Sequence, residues 1–324
     1  MHEHPDSVLI TERLLAEAET TFTSHWPAET TYNRQLFFDW HCQDQCHVCY
    51  LSLQKSEQIP IKAKRSVASI LAEAHIVRQL RWTPTLVGDI RTHTIKDLRE
   101  MCRRVCSITE GGLWINAGPI SRNDIDIIRP FIEGVIAPIE TVNRDAYKEI
   151  CPKKSITPLL TMLSETTTKR GISLILGAGE SLSNLDLLFD FIRNNEIDRV
   201  VFNTPMRSTG YTTLPSSFYI ARWIAETRIN FPKVEIIVAV NPSRPVETSL
   251  FLKSGANQLT GFPAISMFNT EAARIIEQES ITARRTMKST LTDMSKVSKM
   301  ASLNIDNEIK EKINKYLELL GRQK

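Results

Sequence analysis

"RQLFFDWHCQDQCHVCY" (residues 34–50) runs an apolar, strand-like stretch directly into three cysteines. Residues 34–40 carry large β-favouring side chains and read as a strand. Cys42, Cys46 and Cys49 follow at C-x3-C-x2-C spacing, with Tyr50 immediately after. The chain has six cysteines, and half of them fall within these eight residues. A loop that gathers thiols at the end of a strand predicts metal binding or redox work.

Seven further apolar runs follow the first. They are "TLVGDI" (85–90), "LWINAG" (113–118), "GVIAPIE" (134–140), "ISLILG" (172–177), "RVVFNT" (199–204), "EIIVAV" (235–240) and "NQLTGF" (257–262). Helical patterns lie between them, at 66–80, 95–108, 155–171 with Gly171 as the stop, and 214–229. Eight alternations of strand and helix predict an α/β chain whose parallel sheet closes into a (β/α)8 TIM-type barrel. An open doubly wound sheet is the alternative. The expected organisation is an N-terminal helical extension (1–33), a barrel domain (34–284) and a polar, helical C-terminal tail (285–324). Within the tail, residues 305–320 space their apolar side chains as a helix packed on the barrel, with partner docking as the alternative.

Hydrophobic content of 42%, charged content of 24% and a net charge of +3 over 324 residues are those of an ordinary globular chain. The charge is dispersed, so neither nucleic acid nor a membrane surface is expected as the main partner. No run of about 18 apolar residues predicts a membrane span. "MHEHPDSVLITERL" lacks the basic and apolar regions of a secretory signal, so a reducing, cytoplasmic setting is expected. Clustered cysteines there suit metal better than disulfides.

A barrel carries its chemistry on the face formed by the C-terminal ends of its strands. Three thiolates on the first such loop can each take one iron of a cubane and leave the fourth iron open. Zinc with His41 or His47 as a further ligand is one alternative, and a buried metal-free cysteine cluster is another.

C-x3-C-x2-C followed by an aromatic, after the first strand of a barrel pattern, resembles the signature of the radical S-adenosylmethionine (SAM) superfamily. Over roughly residues 34–280 the chain resembles its biotin synthase-like group. "GAGES" (177–181) is similar to that group's G-x-G-E segment, "APIET" (137–141) to its fourth-strand end, and "SRPVETSLFLKSGANQLT" (243–260) to its approach to the last strand. Pro138 stands where the group has an asparagine. The resemblance implies a [4Fe-4S] cluster on Cys42, Cys46 and Cys49, with SAM bound near Tyr50, Glu140, Gly177, Gly179, Glu180 and Asn203. Glu140 would meet the SAM ribose. Asp89, Arg91, His93 and Asn116 also end strands at the active face, as substrate contacts or as loop anchors. Arg170 is expected at the opposite face, and "KAKR" (62–65) as a solvated basic run or a docking patch.

Cys102 and Cys106 share a helix face at i, i+4, and Cys151 follows the fourth strand. Singly, each reads as a small buried residue. Together they would make a second ligand set, for an auxiliary [4Fe-4S] cluster. Arg244 matches the arginine that biotin synthase sets beside its second cluster, and Ser289, Ser295 and Ser298 are alternatives by similarity to single-protein lipoyl synthases. The closest resemblance is to the archaeal-type two-component lipoyl synthases. It implies sulfur insertion into a protein-bound octanoyl chain, with the auxiliary cluster as donor. The implied partners are an octanoylated lipoyl domain or glycine cleavage H protein, a second lipoyl synthase component and an electron donor such as ferredoxin. The alternatives are a radical SAM enzyme of cofactor biosynthesis without sulfur insertion, and a non-enzymatic iron–sulfur or zinc protein.

Overall fold

All eight apolar runs form strands in the computed structural model, which describes residues 11–40, 42–44, 46–49, 65–205, 214–302 and 304–321. They are β1 (Glu29–Phe37), β2 (Thr83–Val87), β3 (Leu113–Asn116), β4 (Ile132–Glu140), β5 (Lys169–Ile175), β6 (Arg199–Asn203), β7 (Glu235–Ala239) and β8 (Gln258–Thr260). Each pairs in parallel with the next, and β1 pairs with both β2 and β8. That double pairing closes the ring, so the fold is the (β/α)8 barrel and not the open sheet. A two-residue β9 (Thr286–Met287) extends the start of β1.

Side chains alternate across each strand. Trp114, Ile136, Val201 and Ile237 form a cluster of their own inside the bore. Their neighbours Leu113, Ile115, Val135, Ala137, Val200, Phe202, Ile236 and Val238 belong to the main core under the helices. Parallel strands covered on both sides need apolar residues at nearly every position, which is why the runs were readable. Arg199 lies 3.9 Å over the Trp114 ring and 2.5 Å from Glu235, capping the apolar layer with a buried ion pair.

The helices of the described residues are α1 (Glu12–His25), α2 (Val67–Leu80), α3 (Ile95–Thr109), α4 (Arg122–Ile128), α5 (Arg144–Ile150), α6 (Thr157–Glu165), α7 (Leu185–Asn194), α8 (Ser217–Asn230), α9 (Thr248–Lys253), α10 (Glu271–Thr282), α11 (Met294–Ser298) and α12 (Asn307–Gly321). Ser66 and Thr94 cap α2 and α3 by accepting from Ser69 N and Asp97 N. Gly171 is not the stop of α6, which ends at Glu165. It lies inside β5, where a Cβ would sit 2.9 Å from Trp114 Cζ3. Its missing side chain makes room for the indole in the bore.

Both ends of the described chain are tied to the barrel. Phe22 of α1 is buried beneath Arg285, whose guanidinium lies 3.9 Å from the ring. Ser289 Oγ accepts from Tyr32 N at 2.8 Å, and Tyr316 of α12 accepts from Arg65 at 2.7 Å. Arg65 is therefore not part of a solvated run: its side chain is 8% exposed and lies 2.8 Å from Glu73. Residues 62–64 of that run lie outside the described residues.

Candidate metal centre

The cysteine loop leaves β1 at the C-terminal face and is fastened by the end of β2. Asp89 accepts from Gln43 N at 3.0 Å and from Arg91 Nε and Nη2 at 2.8 Å each. Arg91 reaches on to Asp44 at 2.9 Å, and its Nη2 lies 4.0 Å from Cys42 Sγ. Burial works against the Asp89 carboxylate, but these donors outweigh it and hold its pKa below the usual range. On the other side His93 Nε2 and Thr92 Oγ1 meet the fully buried Asp39, at 3.0 and 2.7 Å. Asp89, Arg91 and His93 thus serve as loop anchors. Asp39 and Asp44 were not singled out from sequence, although both flank the cysteines.

Cys42, Cys46 and Cys49 share this loop, where Cys49 packs against Cys46 and Cys49 N donates to Cys46 O at 3.3 Å. Burial raises the Cys42 thiol to about 12. A hydrogen bond to Cys151, then burial, pushes Cys46 up as well. A metal takes the thiolate form, so loading this loop releases protons. Three soft donors on one loop suit iron–sulfur chemistry, and the residues present fit a cluster. Tyr50 and His41 lie outside the described residues.

Cys151 corrects the expected grouping. It caps α5 and belongs with Cys46, Val48, Tyr147, Ile150 and Ala178. The Cys46 and Cys151 sulfurs and a Glu140 carboxylate oxygen all lie within 4.8 Å of one another. A backbone bond from His47 N to Ile150 O, 2.7 Å, holds the cysteine loop against α5. Cys102 and Cys106 stay on α3, with Leu98, Met101, Cys102 and Val105 buried in the main core. The i, i+4 spacing did put them on one face, but that face is the packing face. Arg244 is not beside a cysteine pair either. It lies 3.3 Å from Glu247 and donates to Pro215 O at 3.0 Å, an ordinary ion pair. Ser289, Ser295 and Ser298 are occupied by Tyr32 N, Asp293 and Met294 O.

Glu140 ends β4 with a left-handed backbone (φ 59°) and pairs with buried Lys154 at 2.7 Å. Gly177 and Gly179 have φ of 91° and 112°, which side chains other than glycine adopt at a cost. Glu180 differs from expectation. Its carboxylate accepts from Gly177 N at 2.5 Å and Ala178 N at 3.0 Å, so it closes its own loop. Asn203 ends β6, where its carbonyl accepts from Leu176 N at 2.8 Å. Lys154 and Tyr147 were missed from sequence. The only signal was their position just after the fourth strand, where no helix was predicted: Tyr147 lies on α5 and Lys154 in the turn after it. Arg170 lies at the opposite end of β5, as expected, with its N–H bonded to Asp198.

No protein-family model matches the chain. It is 31% identical over 316 residues to the uncharacterized protein MJ0597 of Methanocaldococcus jannaschii, covering 94% of this chain and 88% of that one. Among solved structures, methylornithine synthase (PylB) superposes with a TM-score of 0.65 at 16% identity, covering 80% of this chain and 79% of that one. The FeFe-hydrogenase maturase HydG of Carboxydothermus hydrogenoformans superposes with a TM-score of 0.70 at 14% identity, covering 98% and 83%. At these identities the likeness is one of fold.

Proposed function

The chain belongs to the same family as the Methanocaldococcus jannaschii protein MJ0597, and we propose that it is a radical SAM enzyme with one cluster at the mouth of its barrel. The observation that carries this reading is the placing of Cys42, Cys46 and Cys49 at C-x3-C-x2-C spacing on one loop that Asp89 anchors at the C-terminal face of the barrel. The barrel shared with methylornithine synthase and HydG supports it. Cys42, Cys46 and Cys49 would hold a [4Fe-4S] cluster, whose chemistry when SAM is bound would be one-electron reduction of the sulfonium to methionine and a 5′-deoxyadenosyl radical.

The chain's own residues position and shield. Asp89 and Arg91 fix the loop that presents the thiolates. Glu140, its carboxylate oriented by Lys154, is the candidate partner of the SAM ribose. Gly177 and Gly179 shape the turn beside α5, and Tyr50 and Asn203 complete the candidate SAM set. Val48, Ile150 and Ala178 pack around the buried Cys46 and Cys151 and shield those two sulfurs from water.

A sulfur-inserting lipoyl synthase component needs a donor cluster. Cys102 and Cys106 pack in the core while Cys151 stands beside Cys46, so that ligand set is not gathered. The favoured reading is a one-cluster enzyme of cofactor biosynthesis, drawing electrons from a donor such as ferredoxin. Reconstitution under anaerobic conditions, with SAM and dithionite, tests it. The expected result is 5′-deoxyadenosine and about four irons per chain. Zinc at the trio and no cleavage of SAM would reject it. About eight irons, with a one-sulfur mass gain on an octanoylated lipoyl-domain peptide, would restore sulfur insertion in its place.

A further inference from the structure

Resting on that reading, we propose that Cys151 is a fourth thiolate of the same centre, closing the open iron until SAM takes its position. Two independent observations point there. The first is the grouping of Cys46 Sγ, Cys151 Sγ and a Glu140 oxygen within 4.8 Å, held by the His47 N to Ile150 O bond. The Cys151 sulfur is thus a neighbour of the Cys46 sulfur that the first-loop centre would use. The second is Tyr147. Its side chain is buried, at 7% exposure, and its hydroxyl has no hydrogen-bond partner among the described residues. Tyr147 packs in the same buried cluster as Cys46, Val48, Ile150, Cys151 and Ala178. A buried hydroxyl without a partner costs free energy, and a group bound at this centre supplies the acceptor it lacks.

Cys151 is fixed beside Cys46. It is the C-cap of a seven-residue helix, its N–H donates to Tyr147 O at 2.8 Å and its carbonyl accepts from Lys154 N at 3.1 Å. Ligation breaks the Cys151 S–H bond and forms an S–Fe bond, with no electron transferred. The proton would leave to solvent, and binding of SAM at that iron would take a proton back from solvent and return the thiol.

The test is retention of iron by the reconstituted full chain without SAM. A cubane with three protein ligands loses its unique iron on mild ferricyanide treatment, whereas one with four protein thiolates resists. Wild type is expected to keep its irons, and Cys151→Ser to lose about one in four and show the three-iron signal in electron paramagnetic resonance. Cys102→Ser is the control and should match wild type. Mössbauer spectra of wild type alone, with and without SAM, give the same answer without a variant: one iron site should change on adding SAM from sulfur to nitrogen and oxygen ligation. Equal iron loss in wild type and Cys151→Ser, or a site-differentiated wild-type spectrum before SAM is added, overturns the inference and leaves the proposed function standing. Failure to assemble any iron–sulfur chromophore overturns both.

Discussion

Glu140 Oε1 lies 2.7 Å from Lys154 Nζ, and the two side chains are 12% and 7% exposed. Lys154 also donates to Pro138 O at 2.5 Å, so the ammonium knits the end of β4 to the turn after α5. Burial opposes its charge, but Glu140 and the neighbouring thiol outweigh that and raise its pKa. Replacing one member of a buried pair leaves the other uncompensated, at about 3–5 kcal/mol. Lys154→Met should lower the unfolding free energy by that amount, seen as a lower denaturant midpoint at an unchanged slope. It should also weaken SAM binding, because the Glu140 carboxylate loses its orientation. A variant as stable as wild type would show that the pair is not formed in solution.

Cys102 and Cys106 give a sharper contrast with the first trio. Cys42→Ala or Cys49→Ala should abolish the brown iron–sulfur chromophore and 5′-deoxyadenosine formation. Cys102→Ala removes a buried sulfur from the α3 core and should cost only about 1 kcal/mol. Its iron content, read by colorimetric assay, should equal that of wild type. A loss of iron in Cys102→Ala would reinstate a second centre.

Gly177 turns the chain at φ 91°, and a Cβ there would lie 2.8 Å from Pro215 Cδ. Gly177→Ala meets both the backbone cost and the clash, together about 1–3 kcal/mol. The loop should open towards α8, and calorimetry should show weaker SAM binding. Gly111→Ala is the matched control, since nothing lies within 4 Å of its Cβ.

The legible parts of this molecule were local, and the illegible ones depended on the return of the chain. Strands such as β3, β6 and β7 were readable because each is apolar on both faces. The start of β1 was not, because Thr30, Thr31 and Asn33 are polar residues that fold inward or pair with neighbours: Thr85 donates to Asn33 at 3.0 Å and Thr30 to Asn257 O at 3.0 Å. The trio was readable because its three members share one loop. Cys151 was grouped with Cys102 and Cys106 by count alone. What separates them is the short helix α5, which Asn143 starts by accepting from Asp145 N and Ala146 N. It carries Cys151 back over the barrel mouth to Cys46. Glu180 was read as a ligand contact because no sequence pattern announces that a carboxylate will bond the amides three and two residues before it.

Glu73 is the second buried carboxylate on which stability should depend, and it gives the pH prediction. It lies 2.5 Å from Arg34 and 2.8 Å from Arg65, under α2 and against β1. Burial pushes its pKa up, but Arg34 and then Arg65 outweigh burial and hold it below the usual glutamate range. A carboxyl lowered in the folded state contributes stability above its unfolded pKa of about 4.3, and that stability is lost as pH falls through the folded value. Glu73→Gln leaves two buried guanidiniums without their anion and should cost about 3–5 kcal/mol at pH 7. The gap between variant and wild type should narrow steadily below about pH 4 as Glu73 itself becomes neutral. Urea melts across that range measure it. A gap that stays constant down to the acid limit would mean that Glu73 contributes through packing and not through its charge.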